Sequence, residues 1–346
     1  MEFRKAMMFF CVVVISILMV FASLPCAHAK EPTYILKCGT LAPDGIGWAR
    51  VLRDMVNPEI MQVTDGEVVL DWYYGGIMGD DEDVIAKMRN DQLQGGGFSG
   101  AGVMQLCPEI TILQLPFMFN DYKEVDLILN KYRKYFGELF EKRGYKMLML
   151  IEQDFDKFYS TNLELKDEAS FRKSRILTWY GPMEERMLKM LGANPIPVNV
   201  PEVCSSVRAG VVDSFISPSL WAVGSQMYTT MKYINPMNIR YSAAGLVITT
   251  KSWLRIPEKY RNAIEAKCLE MEQPYKDGTR VGNQRAYKAM LDYGMKEVKM
   301  TPAEVEEIKK RVLPLWDEFA ANGTYPKSLM DEIKQTLTDY RAGKLP

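Results

Sequence analysis

The segment Leu191–Pro218 constrains the fold of this chain more than any other stretch. It reads LGANPIPVNVPEVCSSVRAGVVDSFISP, a pattern that predicts a short strand, a helix, a stop and a second strand from Val211. Pro201 suits the first helical turn, where its missing N–H is not needed. Gly210 suits the end of the helix because glycine adopts the left-handed conformation found there. Since α/β proteins bind ligands where strand ends meet helix starts, the segment predicts an α/β fold with a site nearby.

The first residues have the layout of a secretory signal peptide. Arg4 and Lys5 precede an apolar run over residues 6–24, and Ala27-His28-Ala29 is a small-x-small cleavage site. We therefore expect residues 1–29 to be removed after Ala29 and the mature chain to be exported. A membrane anchor is the alternative, because the apolar run approaches the length that a span needs.

Removal of these residues also removes the only histidine, His28. Without it, Ser-His-Asp catalysis, Cys-His catalysis and imidazole metal ligation are excluded. The remaining 41 basic and 43 acidic side chains give a net charge of −2, which does not suggest nucleic acid as a partner. We expect no enzyme, no metal and no cofactor, with an exported carboxylate-dependent enzyme as the alternative of another class. Four cysteines remain, expected as buried free thiols rather than disulfides: Cys38, Cys107, Cys204 and Cys268.

The order of strand and helix patterns predicts two α/β lobes. Strand patterns at 34–39 and 67–73 alternate with helical patterns at 48–63 and 80–89. Further along, an apolar return strand and a long helix from Pro257 imply that the chain crosses between the lobes more than once. The predicted organisation is 1–29 signal peptide, 30–153 plus 242–281 lobe 1, and 154–241 plus 282–346 lobe 2.

Four short motifs carry a resemblance to a known family. They read GIMGDD at 76–81, LPFMF at 115–119, LGANP at 191–195 and AGVVD at 209–213. In these motifs, and over nearly the whole chain after residue 29, the protein resembles the DctP-like solute-binding proteins of tripartite ATP-independent periplasmic (TRAP) transporters. The resemblance implies a type II periplasmic-binding-protein fold, with two α/β lobes around a ligand cleft, a hinge and a long connecting helix. It also implies a periplasmic protein that delivers a small solute to a membrane-embedded TRAP permease, which an ion gradient drives without ATP.

Two local patterns invite cofactor or metal assignments that their contexts do not favour. Gly95–Gly100 formally satisfies GxGxxG, but it follows a helix and a strand instead of opening a βαβ unit. We interpret it as a loop facing the cleft, with Phe98 and Ser99 touching ligand; a purely structural turn is the alternative. Asp80–Asp83 is more simply a helix N-cap than a calcium site, because cation loops space their ligands along the chain.

The family's carboxylate clamp is altered in this chain. The resemblance places the family's ligand-binding arginine on Leu177 and the lysine before it on Arg175, and Ser217 stands where an asparagine is common. Loss of a charge-assisted pair, worth about 1.5–3 kcal/mol, favours a more apolar cargo. We expect an aromatic, fatty or isoprenoid molecule, or an acid held differently. The alternative is an ordinary carboxylate bound through Arg175 or Lys157.

Aromatic residues at strand-to-helix turns complete the predicted site. The predicted ligand contacts are Trp48, Phe98, Ser99, Arg175, Leu177, Trp179, Phe215, Ser217 and Trp221.

Overall fold

A mixed sheet crossed by two long strands is the centre of the fold. The computed structural model describes residues 31–45 and 47–345; the predicted signal peptide lies outside them. The strands described there are β1 Tyr34–Thr40, β2 Val68–Tyr73, β3 Gly95–Phe98, β4 Tyr145–Ser160, β5 Leu177–Thr178, β6 Ile196–Pro197, β7 Ser214–Ser217, β8 Tyr233–Thr249 and β9 Lys296–Glu297. The main sheet has the order β2-β1-β3-β8-β4-β7, with β9 beside β8, and β5 and β6 form a separate parallel pair.

Helices cover this sheet, and from Thr33 onward the chain forms one compact unit. The α-helices of the described residues are α1 Gly47–Val51, α2 Asn57–Val63, α3 Asp81–Arg89, α4 Gly100–Leu106, α5 Tyr122–Lys142, α6 Glu168–Lys173, α7 Pro182–Met190, α8 Val203–Arg208, α9 Ser219–Gly224, α10 Thr250–Arg255, α11 Glu258–Tyr293, α12 Pro302–Val312, α13 Leu315–Ala321 and α14 Lys327–Arg341. A π-helical turn, Leu52–Val56, joins α1 to α2, so the helix predicted at 48–63 is present with an irregular middle. None of the described helices combines the length and apolarity that crossing a bilayer requires.

Strands β4 and β8 connect two groups of strands. One end of β8 pairs with β3, where Ile248 lies opposite Gly95. The other end of β4 pairs with β7, where Lys157 lies opposite Ser217. Between these ends β4 and β8 pair with each other through three register shifts, and Asp154 there has a φ of 122°. The predicted lobe boundary at 153/154 falls at this place, and the residue limits of the lobes stay a prediction.

Helix α11 extends along both groups of strands and confirms the long helix predicted from Pro257. Its Asn283 accepts a hydrogen bond from the backbone N–H of Leu220 at 2.8 Å and donates one to the carbonyl of Gln153 at 3.0 Å. Arg280 of the same helix binds the carboxylates of Glu152 in β4 and Asp126 in α5. The helix therefore ties α9, α5 and the middle of β4 together.

The segment Leu191–Pro218 folds largely as predicted. Pro201 lies in a short 3-10 turn before α8, and Gly210 ends the helix with a φ of 70°. The second strand predicted from Val211 has the wrong bounds, because β7 begins only at Ser214 and Val211 is 52% exposed. The turn that ends the helix at Gly210 changes the direction of the chain before it enters the sheet as β7.

Three predicted local features have the following outcomes. Asp80 caps α3 in a capping box with Asp83, as the acidic run predicted. The short strand that the pattern over 93–98 predicts is confirmed as β3 Gly95–Phe98, so only the interpretation of these residues as a loop is wrong, and Ser99 caps the helix after the strand. All four cysteines are unpaired thiols in this part of the chain; three are buried as predicted, whereas Cys204 is only partly buried.

Candidate ligand-binding cleft

Two narrow cavities with a common wall bring the predicted aromatic residues together. The shared wall consists of Leu41, Ala42, Trp48, Ser99 and Gln153. The first, which we call the tryptophan cavity, has a volume of about 30 Å³. The second, which we call the aliphatic cavity, has a volume of about 40 Å³. The further walls of the tryptophan cavity are Trp179, Tyr180, Val200, Pro218 and Trp221. Those of the aliphatic cavity are Thr40, Leu52, Gly97, Phe98, Ile151, Ala244, Gly245, Leu246 and Tyr275.

The aromatic wall of the tryptophan cavity is built edge to face. The rings of Trp179 and Trp221 meet at 86° with centroids 4.5 Å apart, and Trp179 meets Tyr180 at 87° and 5.7 Å. Phe215 lies behind this wall, 5.5 Å from Trp221, and stacks on Tyr159 at 4.8 Å. Perpendicular contacts place the positive ring edge against the negative ring face, which favours this arrangement. The wall is therefore supported from inside the protein.

A buried carboxylate holds the backbone of this wall in place. One oxygen of Glu184 in α7 accepts hydrogen bonds from the Thr178 hydroxyl at 2.8 Å, the Trp179 N–H at 2.9 Å and the Tyr180 N–H at 3.0 Å. The bend between β5 and α7 brings these three donors to one point. Burial raises the pKa of the Glu184 carboxyl, and the three hydrogen bonds oppose that shift.

A buried arginine lies beneath the other side of the same wall. The Cζ atom of Arg240 is 3.9 Å from the ring centre of Tyr180, in a cation–π contact. Its guanidinium also binds the Asp156 carboxylate and, at 3.2 Å, the side-chain oxygen of Gln114. Burial raises the pKa of Asp156 to about 6. Arg240 lines neither cavity, and its positive charge is balanced by the Asp156 carboxylate.

Gln153 presents an amide N–H₂ group in the shared wall. Its Oε1 atom accepts from the Gly100 N–H at 3.4 Å, the Tyr180 hydroxyl at 3.4 Å and the Ser242 hydroxyl at 3.2 Å. Because a backbone N–H can only donate, the oxygen must face Gly100. Among the described residues, Nε2 of Gln153 has no hydrogen-bond partner.

Ser99 is held in the shared wall by a buried carboxylate. Its hydroxyl accepts from the Ala101 N–H at 3.1 Å, which caps α4, and donates to Asp81 at 2.5 Å. The same Asp81 oxygen accepts from the Ser99 N–H at 3.2 Å and the Gly102 N–H at 3.0 Å. Burial raises the pKa of the Asp81 carboxyl to about 7. The position of Ser99 is thus coupled to the start of α3.

Two tryptophans add donors without partners. The indole Nε1 atoms of Trp48 and Trp179 are buried and have no hydrogen-bond partner in the described part of the chain. Buried polar groups of native proteins are normally paired. Trp48, Trp179 and Gln153 thus line the cavities and each carries an N–H group without a partner among the described residues, whereas no charged side chain of these residues lines either cavity. This arrangement suits acceptor oxygens on an otherwise apolar molecule.

The structure separates the predicted contact residues into two sets. Trp48, Phe98, Ser99, Trp179 and Trp221 line the two cavities. Leu177, Phe215 and Ser217 are fully buried and line neither, because β5 and β7 are covered on both faces.

The two candidate cationic contacts also lie outside both cavity walls. The Arg175 side chain is 55% exposed and pairs with Asp213 at 3.2 Å. Lys157 donates to the Asn238 side-chain oxygen at 2.8 Å and the Pro236 carbonyl at 3.3 Å. Both cations are therefore bonded to other groups of the chain.

Sequence reasoning left several lining residues out of the predicted site. Tyr180 adjoins Trp179 and could have been included on position alone. Gln153 and Tyr275 gave no signal, because Gln153 lies in a long buried strand and Tyr275 in a long helix. Only the packing of α11 against β4 brings them to the same cavities.

An α/β chain in which two crossing strands join two strand groups beside an enclosed aromatic cleft has the architecture of a solute-binding protein. Residues 49–322 match the family model for bacterial extracellular solute-binding protein, family 7 (DctP). The chain belongs to this family, which comprises solute-binding proteins of TRAP transporters. Its members are transport proteins.

Individual relatives agree with this assignment. A solute-binding protein of Chromohalobacter salexigens is 22% identical over 279 residues, which cover 80% of this chain and 82% of that protein. The sugar acid binding protein DctPAm of Advenella mimigardefordensis, solved with galactonate, superposes with a TM-score of 0.83 at 19% identity, covering 90% and 99% of the chains. A TRAP periplasmic solute-binding protein of Haemophilus influenzae with bound L-gulonate gives 0.82 at 19% identity, covering 88% and 99%. These similarities confirm the predicted type II periplasmic-binding-protein fold with its two α/β lobes.

Proposed function

We propose that this protein captures a small, largely apolar solute that carries acceptor oxygens, and delivers it to a TRAP permease. The observation that supports this cargo is the composition of the two cavities. Three tryptophans line them, Trp48 and Trp179 among these carry an unpaired indole N–H, and no charged side chain of the described residues lines either cavity. Burial of apolar solute surface against these aromatic rings is favourable by about 25 cal/mol per Å². The N–H donors would orient a carbonyl, hydroxyl or ether oxygen of the solute.

The electrostatics behind the aromatic wall also disfavour an anionic cargo. A buried anion needs a compensating charge, and Arg240, the cation in contact with the Tyr180 ring, is already paired with Asp156 and interacts with Glu184. Galactonate and L-gulonate are the ligands of the two solved relatives. At 19% identity that likeness concerns the fold, so an organic acid bound through Arg175 or Lys157 is the competing hypothesis.

The proposed path of the protein follows from its family. The signal peptide directs export, cleavage after Ala29 releases a periplasmic protein, and the closed, loaded form docks on the membrane-embedded permease. Ligand must contact both lobes to favour closure, since a solute shifts a conformational equilibrium only by binding one state more tightly. No cofactor takes part in this cycle.

Native mass spectrometry of the mature protein, purified under mild conditions, tests the cargo. We expect a co-purified apolar or aromatic molecule that is retained in Arg175→Ala and Lys157→Ala and lost in Trp179→Ala. A co-purified C4 dicarboxylate or sugar acid that disappears in Arg175→Ala or Lys157→Ala would contradict the proposal. Conversion of the molecule to a new mass during prolonged incubation would instead support the enzyme alternative.

A further inference from the structure

We infer that the aliphatic cavity behind Trp48 is a second subsite, which holds an extended apolar end of the solute. This inference rests on the proposed function and specifies the shape of its cargo. The solute would have a compact aromatic or cyclic part in the tryptophan cavity, an acceptor oxygen at the shared wall, and an alkyl end beyond Trp48.

The distribution of polar groups supports this division. In the shared wall, the indole Nε1 of Trp48 is buried without a hydrogen-bond partner among the described residues. Beyond that wall, Leu52, Ile151, Ala244 and Leu246 give the cavity an aliphatic surface, and the hydroxyl groups there are those of Thr40 and Tyr275. A solute with its oxygen at the boundary would satisfy the Trp48 donor and place its carbon chain against the aliphatic side chains.

The two cavities adjoin, so one elongated solute can use both. They are narrow, at about 30 and 40 Å³, and Trp48 stands in the wall that they share. A solute longer than one cavity would reach the other by displacing this side chain. Trp48 is the wall residue best suited to move, because it lies in the first turn of the five-residue helix α1 and its buried indole N–H forms no bond that would hold it.

Small residues in the wall of the aliphatic cavity leave space inside it. Gly97 lies in β3, and a Cβ atom added there would approach Leu52 Cδ1 and Thr40 Oγ1 to 3.3 Å. Ala244 of β8, paired with Ile151 of β4, lines the same cavity. Larger side chains at either position would fill the space that we assign to the alkyl end, without touching the tryptophan cavity.

A series of N-alkylbenzamides tests the subsite, because ring, amide and chain match the two cavities and the boundary. We expect the affinity, measured by calorimetry, to rise about fourfold per added methylene from N-methyl- towards N-butylbenzamide. In Ala244→Leu this increase should disappear while N-methylbenzamide still binds as in the wild type. Gly97→Ala is a second variant in case the larger substitution prevents folding. Val200→Leu, in the tryptophan cavity, is the matched control and should weaken all members equally.

The outcomes separate the two proposals. N-methylbenzamide binding with an affinity that stays flat along the series, or an increase that persists unchanged in both cavity-filling variants, would overturn the subsite and leave the proposed function standing. If no benzamide binds, and a sugar acid binds in a way that depends on Arg175 or Lys157, both the subsite and the proposed function are overturned.

Discussion

The Asp80 carboxylate accepts a hydrogen bond from the backbone N–H of Val200, with Oδ2 and N 3.0 Å apart. Its other oxygen accepts from the Asp81 N–H at 2.7 Å and so caps α3. Val200 lines the tryptophan cavity and stands 120 residues further along the chain. One carboxylate thus joins segments of the two predicted lobes at the edge of the tryptophan cavity, and we expect the bond to favour a closed arrangement of the lobes.

Replacing Asp80 by serine should weaken closure without losing the helix cap. Serine caps helices about as well as aspartate, but its shorter side chain does not reach Val200. With about 1 kcal/mol lost for the hydrogen bond, we expect solute dissociation, followed by stopped-flow tryptophan fluorescence, to become about fivefold faster. Asp83→Ser, in the same capping box but without contact to Val200, is the control. Equal dissociation rates in both variants would refute the role of this bond.

Removing single indole N–H groups should reduce solute affinity. Trp48→Phe and Trp179→Phe keep an aromatic ring and delete the unpaired donor, and a neutral hydrogen bond is worth about 0.5–1.5 kcal/mol, or roughly two- to tenfold in affinity. Trp72→Phe is the matched control, because its indole Nε1 is also buried and unpaired but lies outside both cavities. If all three variants lose affinity alike in calorimetry, the donors do not act on the solute.

Glu184 should matter to stability as well as to binding. Glu184→Ala leaves three donors of the aromatic wall without their acceptor, so we expect the free energy of unfolding in urea to fall by about 2–4 kcal/mol. Solute affinity should fall too, as Trp179 and Tyr180 lose their fixed position. Glu185→Ala, one residue on and partly exposed beside Lys189, should stay within about 0.5 kcal/mol of the wild type. A Glu184→Ala protein as stable as this control would contradict the proposed support.

Stability should fall as the pH rises from 5 to 7. Burial raises the pKa of Asp81 from 3.8 to about 7, so in this interval the folded chain holds a proton that the unfolded chain has released. Each pH unit therefore removes up to about 1.4 kcal/mol. Burial raises the pKa values of Asp154 and Asp156 to about 6, in the same direction.

Urea unfolding at pH 5 and pH 8 measures the Asp81 contribution. Asp81→Asn cannot release this proton, so its stability should change less between the two pH values than that of the wild type. Glu82→Gln, an exposed neighbour on the same helix, should keep the wild-type dependence. A wild-type dependence in Asp81→Asn would show that another group is responsible.

Local chemistry was sufficient wherever a feature depends on a few neighbouring residues. The Asp80 capping box, the end of α8 at Gly210 and the long helix after Pro257 were all predictable. Caps and terminal glycines act within about four residues, so the chain specifies them without reference to the rest of the fold. The four family motifs, which are equally short, were sufficient to predict the fold class.

Contacts between distant segments required the tertiary structure. Phe215 and Ser217 were predicted in the cleft because a strand pattern does not reveal which of its faces is covered, and β7 is buried on both. Arg240 and Asp156 are 84 residues apart, and their pairing beneath Tyr180 depends on the register of β4 with β8. Sequence alone therefore determined the family and most of the elements, while the altered carboxylate clamp stays a prediction. Packing decided which side chains reach the cavities, because side-chain exposure depends on neighbours far away in the chain.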